Sequence, residues 1–198
     1  MTKALIVIDV QNDFCPGGAL AVPEGDRIIP GINALMAEAD AVILTQDWHP
    51  AGHSSFASSH PGKAPYDMIE MPYGPQVLWP DHCIQGSEGA DFHALLDQTS
   101  ADLILRKGYT PEIDSYSAFF ENDKTTPTGL YGYLRTREIT QLTMVGLALD
   151  FCVNYSAVDA ARLGFQVDVR RDLCRAIDLN GSLDAAIEAM TGAGVALT

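Results

Sequence analysis

Short apolar runs recur along the chain, and segments with helical periodicity separate them. The first run, ALIVIDV at 4–10, is apolar at nearly every position, which is typical of a strand covered on both faces. The same kind of run predicts further strands at 41–47, 101–107, 141–147, 165–172 and 194–198.

Helical periodicity lies between these runs and predicts helices at 33–39, 87–99, 153–164 and 182–192. Ser87 is a suitable cap for the second helix, and Gly164 ends the third. Strand–helix alternation predicts an α/β fold: a three-layer, doubly wound, mainly parallel sheet of about six strands with helices on both faces.

Two long connections, 48–86 and 108–130, interrupt the alternation and are rich in residues typical of loops. Loops of this length in a compact domain are usually functional. Repeats, low-complexity tracts and linkers are absent from the sequence, so we predict a single catalytic domain over residues 1–198.

The formal net charge of −14 repels nucleic acid and anionic membranes, which argues against both as partners, and it is otherwise explained by solubility. No apolar stretch is long enough to span a membrane. The N-terminal run is not a signal peptide because Asp9 interrupts it and no cleavage site of small residues follows. A cytoplasmic protein, monomeric or homo-oligomeric, is therefore expected.

The four cysteines, Cys15, Cys83, Cys152 and Cys174, are far apart and form no C-x-x-C pair. In a reducing compartment this spacing argues against both a disulfide framework and a zinc site made of thiolates. Each cysteine must therefore be judged by its own surroundings.

Reactive side chains follow four of the predicted strands. The first strand ends at Asp9, the second at Asp47 and the third at Lys107, while Cys152 closely follows the fourth. Ligands of open parallel sheets bind beyond the carboxyl ends of the strands, so these groups are expected at one edge. An acid, a second acid, an amine and a thiol at one edge indicate an enzyme.

Cys152 lies between a strand and a helix, where the helix dipole favours the thiolate. Lys107 would lower the thiol pKa further, and Asp9 could accept its proton. The alternatives are a buried structural cysteine and a solvated lysine at a strand end. An acid buried after LIVI is costly without a partner, which favours the pairing of Asp9 with Lys107.

The segment TQDWHPAGHSSF concentrates an acid and two histidines at the end of the second strand. Asp47 and His49 share one side of an extended chain, and His82 in WPDHC is a third candidate ligand. Two imidazoles and a carboxylate suit one divalent transition metal ion: zinc, iron or manganese. His53 is either a fourth ligand or a hydrogen-bonding neighbour, and the histidines could alternatively only satisfy loop backbone.

Aromatic residues cluster around the same connections. Core or lid packing is their usual role, yet their position also fits a flat substrate. They are Phe14, Trp48, Trp79, Tyr116 and Phe151.

Together these segments resemble the nicotinamidases (pyrazinamidases) of the isochorismatase-like cysteine hydrolases. The resemblance covers nearly the whole chain, and the D-x-H motif together with WPDHC is specific to the amidase branch. It rests on IDVQNDFCPGGALAVP, TQDWHPAGHSSF, WPDHCIQGSEGA, KGYTPEIDSYSAFF and VGLALDFCVNYSAVDA.

The resemblance implies a catalytic triad of Asp9, Lys107 and Cys152. It implies that Asp47, His49 and His82 hold the metal, most often zinc, which binds the pyridine nitrogen of nicotinamide. The ring pocket would be lined by Phe14, Trp79, Tyr116 and Phe151. The backbone N–H groups of Ala148 and Cys152 would form an oxyanion hole, with a cis peptide before Ala148.

The implied activity is hydrolysis of nicotinamide to nicotinate and ammonia through a thioester, in NAD salvage, with pyrazinamide as a further substrate. Leu149 departs from the family pattern because many members carry a hydroxyl residue there. Another isochorismatase-like hydrolase, acting on a carbamoyl amide or on isochorismate, is one alternative. A non-catalytic protein that binds a pyridine ligand is the other.

Overall fold

The computed structural model of the chain describes residues 2–198 and contains a six-stranded sheet and a separate two-stranded hairpin. The strands are β1 (Thr2–Ile8), β2 (Ala41–Asp47), β3 (Met68–Met71), β4 (Gly74–Val77), β5 (Leu103–Lys107), β6 (Ile139–Leu147), β7 (Gln166–Arg175) and β8 (Ala196–Leu197). The helices are α1 (Ile29–Met36), α2 (Leu130–Thr136), α3 (Asn154–Arg162) and α4 (Ser182–Gly192).

The large sheet has the order β5-β2-β1-β6-β7-β8, and all its neighbouring strands are parallel. The chain winds outward from β1 through β2 to β5, and then from β6 through β7 to β8 on the other side. The winding direction therefore reverses between β1 and β6, and such a switch point opens a crevice at the carboxyl ends of the two strands. The predicted doubly wound, mainly parallel α/β sheet of six strands is confirmed.

The alternation of side chains along β1 creates two hydrophobic cores, one on each face of the sheet. Ala4, Ile6 and Ile8 pack into the core covered by α2, α3 and α4. Leu5 and Val7 point into the other core, which α1 covers. Because both faces are buried, almost every position of the strand has to be apolar.

The prediction of a helix at 87–99 is wrong, although Ser87 does act as a cap. Only a 3-10 turn forms, Glu88–Ala90, and the Ser87 hydroxyl accepts the backbone N–H of Ala90. The backbone beyond this turn is committed elsewhere: the carbonyl of Asp91 accepts the N–H of Asn12, and the N–H of His93 reaches the carbonyl of Val10. This pairing with the segment after β1 excludes a helical ladder.

Helix α2 and the hairpin β3–β4 are the elements that the hydrophobic pattern did not predict. The hairpin lies in the long connection after β2 and alternates exposed with half-buried residues in β3, so its apolar signal is weak. Within residues 2–198, no helix combines the length and the apolar character that crossing a bilayer requires. The organisation as a single catalytic domain stays a prediction.

Candidate active site

The three residues predicted to form a triad meet at the switch point of the sheet. The Nζ atom of Lys107 lies 2.9 Å from Oδ2 of Asp9 and 3.5 Å from Sγ of Cys152. Asp9 directly follows β1, Lys107 ends β5, and Cys152 follows β6. Parallel strands all present their carboxyl ends at the same edge, so residues distant in sequence come together there.

Asp9 is completely buried, and Thr45 and Lys107 hold its carboxylate. The hydroxyl of Thr45 donates to Oδ1 at 2.6 Å. Oδ2 faces the Lys107 ammonium but accepts no well-aligned hydrogen bond from any residue between 2 and 198, so a lone pair remains for another proton. Burial, reinforced by the negative charge of Asp47, outweighs the attraction of Lys107 and raises the pKa of Asp9 to about 6.

Lys107 connects the two carboxylates of the site. Its Nζ lies 2.5 Å from Oδ1 of Asp47 and donates to the carbonyl of Ser115 at 2.8 Å. Burial alone would lower the lysine pKa, but Asp47 and Asp9 raise it well above its usual value. Burial alone would raise the pKa of Asp47, but Lys107 together with His49 and His82 outweighs burial and lowers it. The lysine therefore stays charged and serves as an electrostatic centre, not as a base.

Cys152 lies in a π-helical turn, Leu149–Val153, that leads from β6 into α3. The sequence suggested a lowered thiol pKa, but burial raises the pKa of Cys152 well above its usual value. Asp9 and Asp47 add to this rise, and Lys107 opposes it. The resting thiol is therefore protonated, and a base has to remove its proton before it can act as a nucleophile.

The strand-to-helix turn also contains the proposed oxyanion donors. The peptide bond Leu147–Ala148 is cis, as the resemblance implies. The carbonyl of Ala148 accepts the N–H groups of both Phe151 and Val153 at 3.1 Å, which fixes the turn that contains Cys152. The assignment of the Ala148 and Cys152 N–H groups as an oxyanion hole remains a prediction.

Asp47, His49 and His82 form a buried group next to the thiol. Their ligand atoms all lie within 4.8 Å of one another, so one ion can contact all three. Asp47 divides its carboxylate between two neighbours: Oδ1 contacts Lys107, and Oδ2 lies 3.7 Å from Nε2 of His49. The arrangement is a possible metal site that shares one carboxylate with the triad.

The hydrogen bonds of the two imidazoles fit a metal. Nδ1 of His49 donates to the carbonyl of Gly108 at 2.8 Å, and Nδ1 of His82 donates to the carbonyl of Pro80 at 2.8 Å. In this tautomer each Nε2 has a free lone pair, which is the usual state of a ligating histidine. Burial and the neighbouring His49 lower the pKa of His82 to about 4, which also keeps that ring neutral. Burial would lower the pKa of His49, but Asp47 and Asp114 raise it, so a metal at this ring would compete with a proton. Two imidazoles and an ionised carboxylate suit zinc, iron or manganese.

His53 has both ring nitrogens engaged. Nε2 donates to the carbonyl of Thr110 at 2.9 Å, and Nδ1 accepts the backbone N–H of Ser55 at 3.1 Å. The ring packs against His49 with a centroid distance of 4.5 Å. The structure therefore favours the second of the two roles left open for His53, a hydrogen-bonding neighbour and not a fourth ligand.

A cavity lined mainly by apolar side chains opens above the thiol. Its lining includes every residue predicted to contact a substrate: Phe14, Trp79, Tyr116, Ala148 and Phe151. Trp79 and Phe151 meet edge to face with their ring centroids 4.9 Å apart. Trp48, in contrast, packs outside this cavity against the guanidinium of Arg106.

Further lining residues were not singled out from the sequence: Leu20, Asp114 and Ile177. Asp114 is buried, and its Oδ1 lies 4.0 Å from Nε2 of His49. Its other oxygen accepts the amide of Gln76, which also donates to the Tyr116 hydroxyl. The acid lies in the irregular connection after β5, where the only signal was its place in a segment shared with the family.

Gly108 is another residue that the sequence reasoning missed. It has a left-handed φ of +66°, and a Cβ atom there would lie 2.5 Å from Cε1 of His49. Only glycine combines this backbone conformation with the space that the imidazole occupies. The signal in the sequence is its position directly after Lys107.

A thiol, an ammonium and a carboxylate at the switch point, beside a set of metal ligands, define a candidate cysteine hydrolase. The family model described as the isochorismatase domain matches residues 3–198. The chain therefore belongs to the isochorismatase family.

Within this family, the chain is similar to nicotinamidases. It is 55% identical to the nicotinamidase of Acinetobacter baylyi, over 97% of this chain and 90% of that protein. It is 46% identical to the nicotinamidase of Escherichia coli, over 98% of this chain and 93% of that protein.

Comparison with solved structures also finds nicotinamidases and pyrazinamidases. A nicotinamidase and pyrazinamidase of Acinetobacter baumannii superimposes with a TM-score of 0.98 at 55% identity, covering 99% of this chain and 95% of that chain. The yeast nicotinamidase bound to the inhibitor nicotinaldehyde has a TM-score of 0.90 at 32% identity, covering 100% and 99% of the two chains. A pyrazinamidase of Pyrococcus horikoshii in complex with zinc has a TM-score of 0.79 at 33% identity, with the same coverage.

Proposed function

We propose that this protein is a metal-dependent cysteine amidohydrolase that converts nicotinamide to nicotinate and ammonia in NAD salvage. Pyrazinamide is proposed as a second substrate. The observation that carries the proposal is the position of the Lys107 Nζ, 2.9 Å from Asp9 and 3.5 Å from the Cys152 sulfur, below an aromatic cavity. The nicotinamidases among its relatives support the choice of substrate.

In the first half of the reaction, the Asp9 carboxylate takes the proton of the Cys152 thiol, and the thiolate attacks the carboxamide carbon. A pKa of about 6 leaves Asp9 ionised at neutral pH but still able to return the proton. The Ala148 and Cys152 N–H groups stabilise the oxyanion, and one such donor typically contributes about 2.7–4 kcal/mol. The C–N bond then breaks, and ammonia leaves with the proton from Asp9.

The second half of the reaction hydrolyses the thioester. Asp9, ionised again, accepts a proton from water, and the hydroxide equivalent attacks the thioester carbon. The same two N–H groups hold the second oxyanion. The C–S bond breaks, the sulfur recovers its proton from Asp9, and nicotinate is released. Lys107 stays protonated throughout and offsets the negative charge that moves between oxygen and sulfur.

Asp47, His49 and His82 would hold the metal, and zinc is proposed because the Pyrococcus horikoshii relative was solved in complex with zinc. When bound, the metal supplies a Lewis-acid contact for the pyridine nitrogen of the substrate. Phe14, Trp79 and Phe151 line the cavity beside the thiol and would confine a flat ring there. This geometry selects aromatic amides with a ring nitrogen.

The proposed cellular setting follows the expectation from the sequence. The protein is proposed to act in the cytoplasm on a small molecule, and its four cysteines are all free thiols, which suits a reducing compartment. Neither nucleic acid nor a membrane is proposed as a partner, given the net charge of −14.

Ammonia release tests the proposal. Purified protein is assayed with nicotinamide, pyrazinamide, benzamide and a carbamoyl amide, with and without a chelator. We expect ammonia from the first two amides, little from benzamide, which lacks the ring nitrogen, and loss of activity with the chelator. Ammonia from the carbamoyl amide alone would favour the other hydrolase, and binding of nicotinamide without ammonia would favour a sensor.

Replacing the nucleophile tests the covalent mechanism. Cys152→Ala should lower kcat by several orders of magnitude while leaving the fold intact, because loss of a nucleophile removes the whole acyl-enzyme route. Cys174→Ala is the matched control, since Cys174 is equally a buried free thiol but lies in β7, outside the cavity. Residual turnover above about one tenth of the original in Cys152→Ala would contradict the mechanism.

A further inference from the structure

At its last residue, Asp47, β2 is no longer paired with β1. β1 and β2 pair in register only as far as Val7 and Leu44, because β1 turns away at Asp9, which has a left-handed φ of +49°. On its other side β2 remains paired with β5 up to Asp47 and Lys107. On this side, the backbone N–H and carbonyl of Asp47 therefore face a position that the β1 strand does not reach.

The side chain of Gln11 fills this position. Its Oε1 accepts the backbone N–H of Asp47 at 2.8 Å, and its Nε2 donates to the carbonyl of Asp47 at 2.8 Å. The second hydrogen of the amide goes to the carbonyl of Ala90 at 2.9 Å. The side chain is fully buried, so these bonds have no competition from water.

One amide thus replaces the two hydrogen bonds that a continued β1 strand would give to Asp47. The residue held in this way supplies a carboxylate to both halves of the site, with Oδ1 on Lys107 and Oδ2 towards His49. A shift of the Asp47 backbone would move both oxygens at once. Gln11 is not itself among the residues that line the cavity, and its side-chain hydrogen bonds found in residues 2–198 go to backbone groups of Asp47 and Ala90, not to triad side chains.

We propose that Gln11 is a positioning residue that fixes Asp47 so that its carboxylate serves the metal site and Lys107 together. The inference rests on the proposed function, because it assigns Asp47 to the metal. Residues that orient a metal ligand typically change metal affinity by about 10–100-fold when they are replaced. Gln11 acts on the backbone of the ligand, not on its side chain.

Gln46 offers a matched control. It precedes Asp47 in β2, is also buried, and donates from its Nε2 to the same carbonyl of Ala90 at 2.8 Å. It makes no hydrogen bond to the backbone of Asp47 among those found in residues 2–198. Gln11→Met and Gln46→Met therefore lose the same bond to Ala90, and only Gln11→Met also loses the pair on Asp47.

The experiment measures zinc affinity of the metal-free proteins by competition with a chromophoric chelator, together with the visible absorption of the cobalt-substituted forms. For Gln11→Met we expect about 10–100-fold weaker zinc binding and an altered cobalt spectrum, because the carboxylate ligand is displaced. Gln46→Met should stay within about threefold of the original protein and keep its cobalt spectrum. Circular dichroism checks that each variant is folded.

The inference would be overturned if Gln11→Met had the same zinc affinity and the same cobalt spectrum as the original protein. Equal losses in the two variants would overturn it as well, because the bond to Ala90 would then be responsible. If Gln11→Met does not fold, Gln11→Glu keeps the volume and the acceptor for the Asp47 N–H, and an unchanged affinity in this variant would also refute the role. Failure of the original protein to bind zinc or to release ammonia would instead refute the proposed function.

Discussion

At the scale of single residues, the protonation of Asp9 decides whether the site can begin its reaction. The carboxyl is buried beside an ammonium and a second carboxylate, and these surroundings raise its pKa to about 6. A base with a pKa near the working pH is ionised often enough to accept a proton and acidic enough to return it. The same burial keeps the Cys152 thiol protonated, so the two groups exchange one proton.

The raised pKa predicts the pH dependence of the reaction. As pH falls through about 6, Asp9 gains a proton and can no longer act as the base, so kcat/KM for nicotinamide should decline with an acid limb near this value. Steady-state assays between pH 5 and 8 measure the limb. Zinc content, determined at each pH, controls for loss of the metal. A constant kcat/KM down to pH 5 with zinc retained would show that Asp9 is not the base.

Replacing Gly108 should damage the metal site in addition to straining the backbone, and a second glycine outside the site serves to separate the two effects. Gly108→Ala puts a Cβ into the His49 ring, so we expect loss of zinc affinity in addition to a lower free energy of unfolding. Gly52→Ala is the control: its φ is +74°, and nothing lies within 4 Å of an added Cβ. Each variant should lose about 1 kcal/mol or more from the left-handed conformation.

Zinc titration and urea unfolding of both variants measure the two effects separately. Zinc binding should remain near its original strength in Gly52→Ala and fall in Gly108→Ala. An equal effect on zinc binding in the two variants would mean that strain, not contact with His49, is the cause.

At the scale of elements, the turn after β1 holds two other segments in place. Gln11 holds the end of β2, while Oδ2 of Asp13 accepts the backbone N–H of Cys83 at 2.7 Å. Cys83 directly follows His82 and has a left-handed φ of +46°. The turn therefore fixes two segments that contain proposed metal ligands, although it supplies no ligand itself.

Asp13→Ala should accordingly destabilise the protein through the loop that contains His82. Loss of the acceptor leaves the buried Cys83 N–H without its carboxylate, which costs roughly 1–3 kcal/mol. Urea unfolding of the metal-free protein measures this change. Asp81→Ala, an exposed acid in the same loop whose partner is the Ser58 hydroxyl, should cost well under 1 kcal/mol. Similar losses in both variants would argue against a special role for Asp13.

The elements also show where reading the sequence succeeds and where it fails. The strand AVILTQD and the helix SLDAAIEAMTG have the predicted bounds, because their periodicity reflects burial that the sheet and the helix layer impose. The helix predicted at 87–99 fails because its backbone pairs with the segment after β1, a contact between distant parts of the chain. The irregular connections, including the one with Asp114, follow no period and so gave no expectation of geometry.

The candidate site was easier to predict from the sequence than these connections, because the carboxyl ends of the strands converge in a parallel sheet. Asp9, Lys107 and Cys152 could be grouped before any coordinates were known, and the structure places them together. The direction in which the thiol pKa shifts could not be predicted from the sequence, because it depends on complete burial, which together with two carboxylates outweighs the ammonium of Lys107. The role of Gln11 could not be predicted from the sequence, because it depends on the point at which β1 stops pairing with β2.

At the scale of the whole molecule, a bound metal should link the connection after β2 to the sheet. Metal that binds only the folded state adds stability, about 2.7 kcal/mol when its free concentration is 100 times the dissociation constant. We therefore expect zinc to raise the unfolding temperature of the metal-free protein, and a chelator to lower that of the loaded protein. Calorimetry with and without zinc measures both shifts.

His82→Ala should abolish the stabilisation by zinc, because it removes one of the three proposed ligands. His93→Ala, a change of the same chemistry at a half-buried histidine outside the ligand group, should retain it. Equal stabilisation of both variants by zinc would place the ion elsewhere.

The reversal of winding between β1 and β6 has a consequence for how activity is acquired. The acid that accepts the proton comes from the start of the chain, the ammonium from its middle, and the sulfur from beyond the reversal, so any fragment with all three groups has to span residues 9–152. Ammonia release is therefore an assay of complete assembly: during refolding or synthesis, turnover begins only after both wings of the sheet have joined.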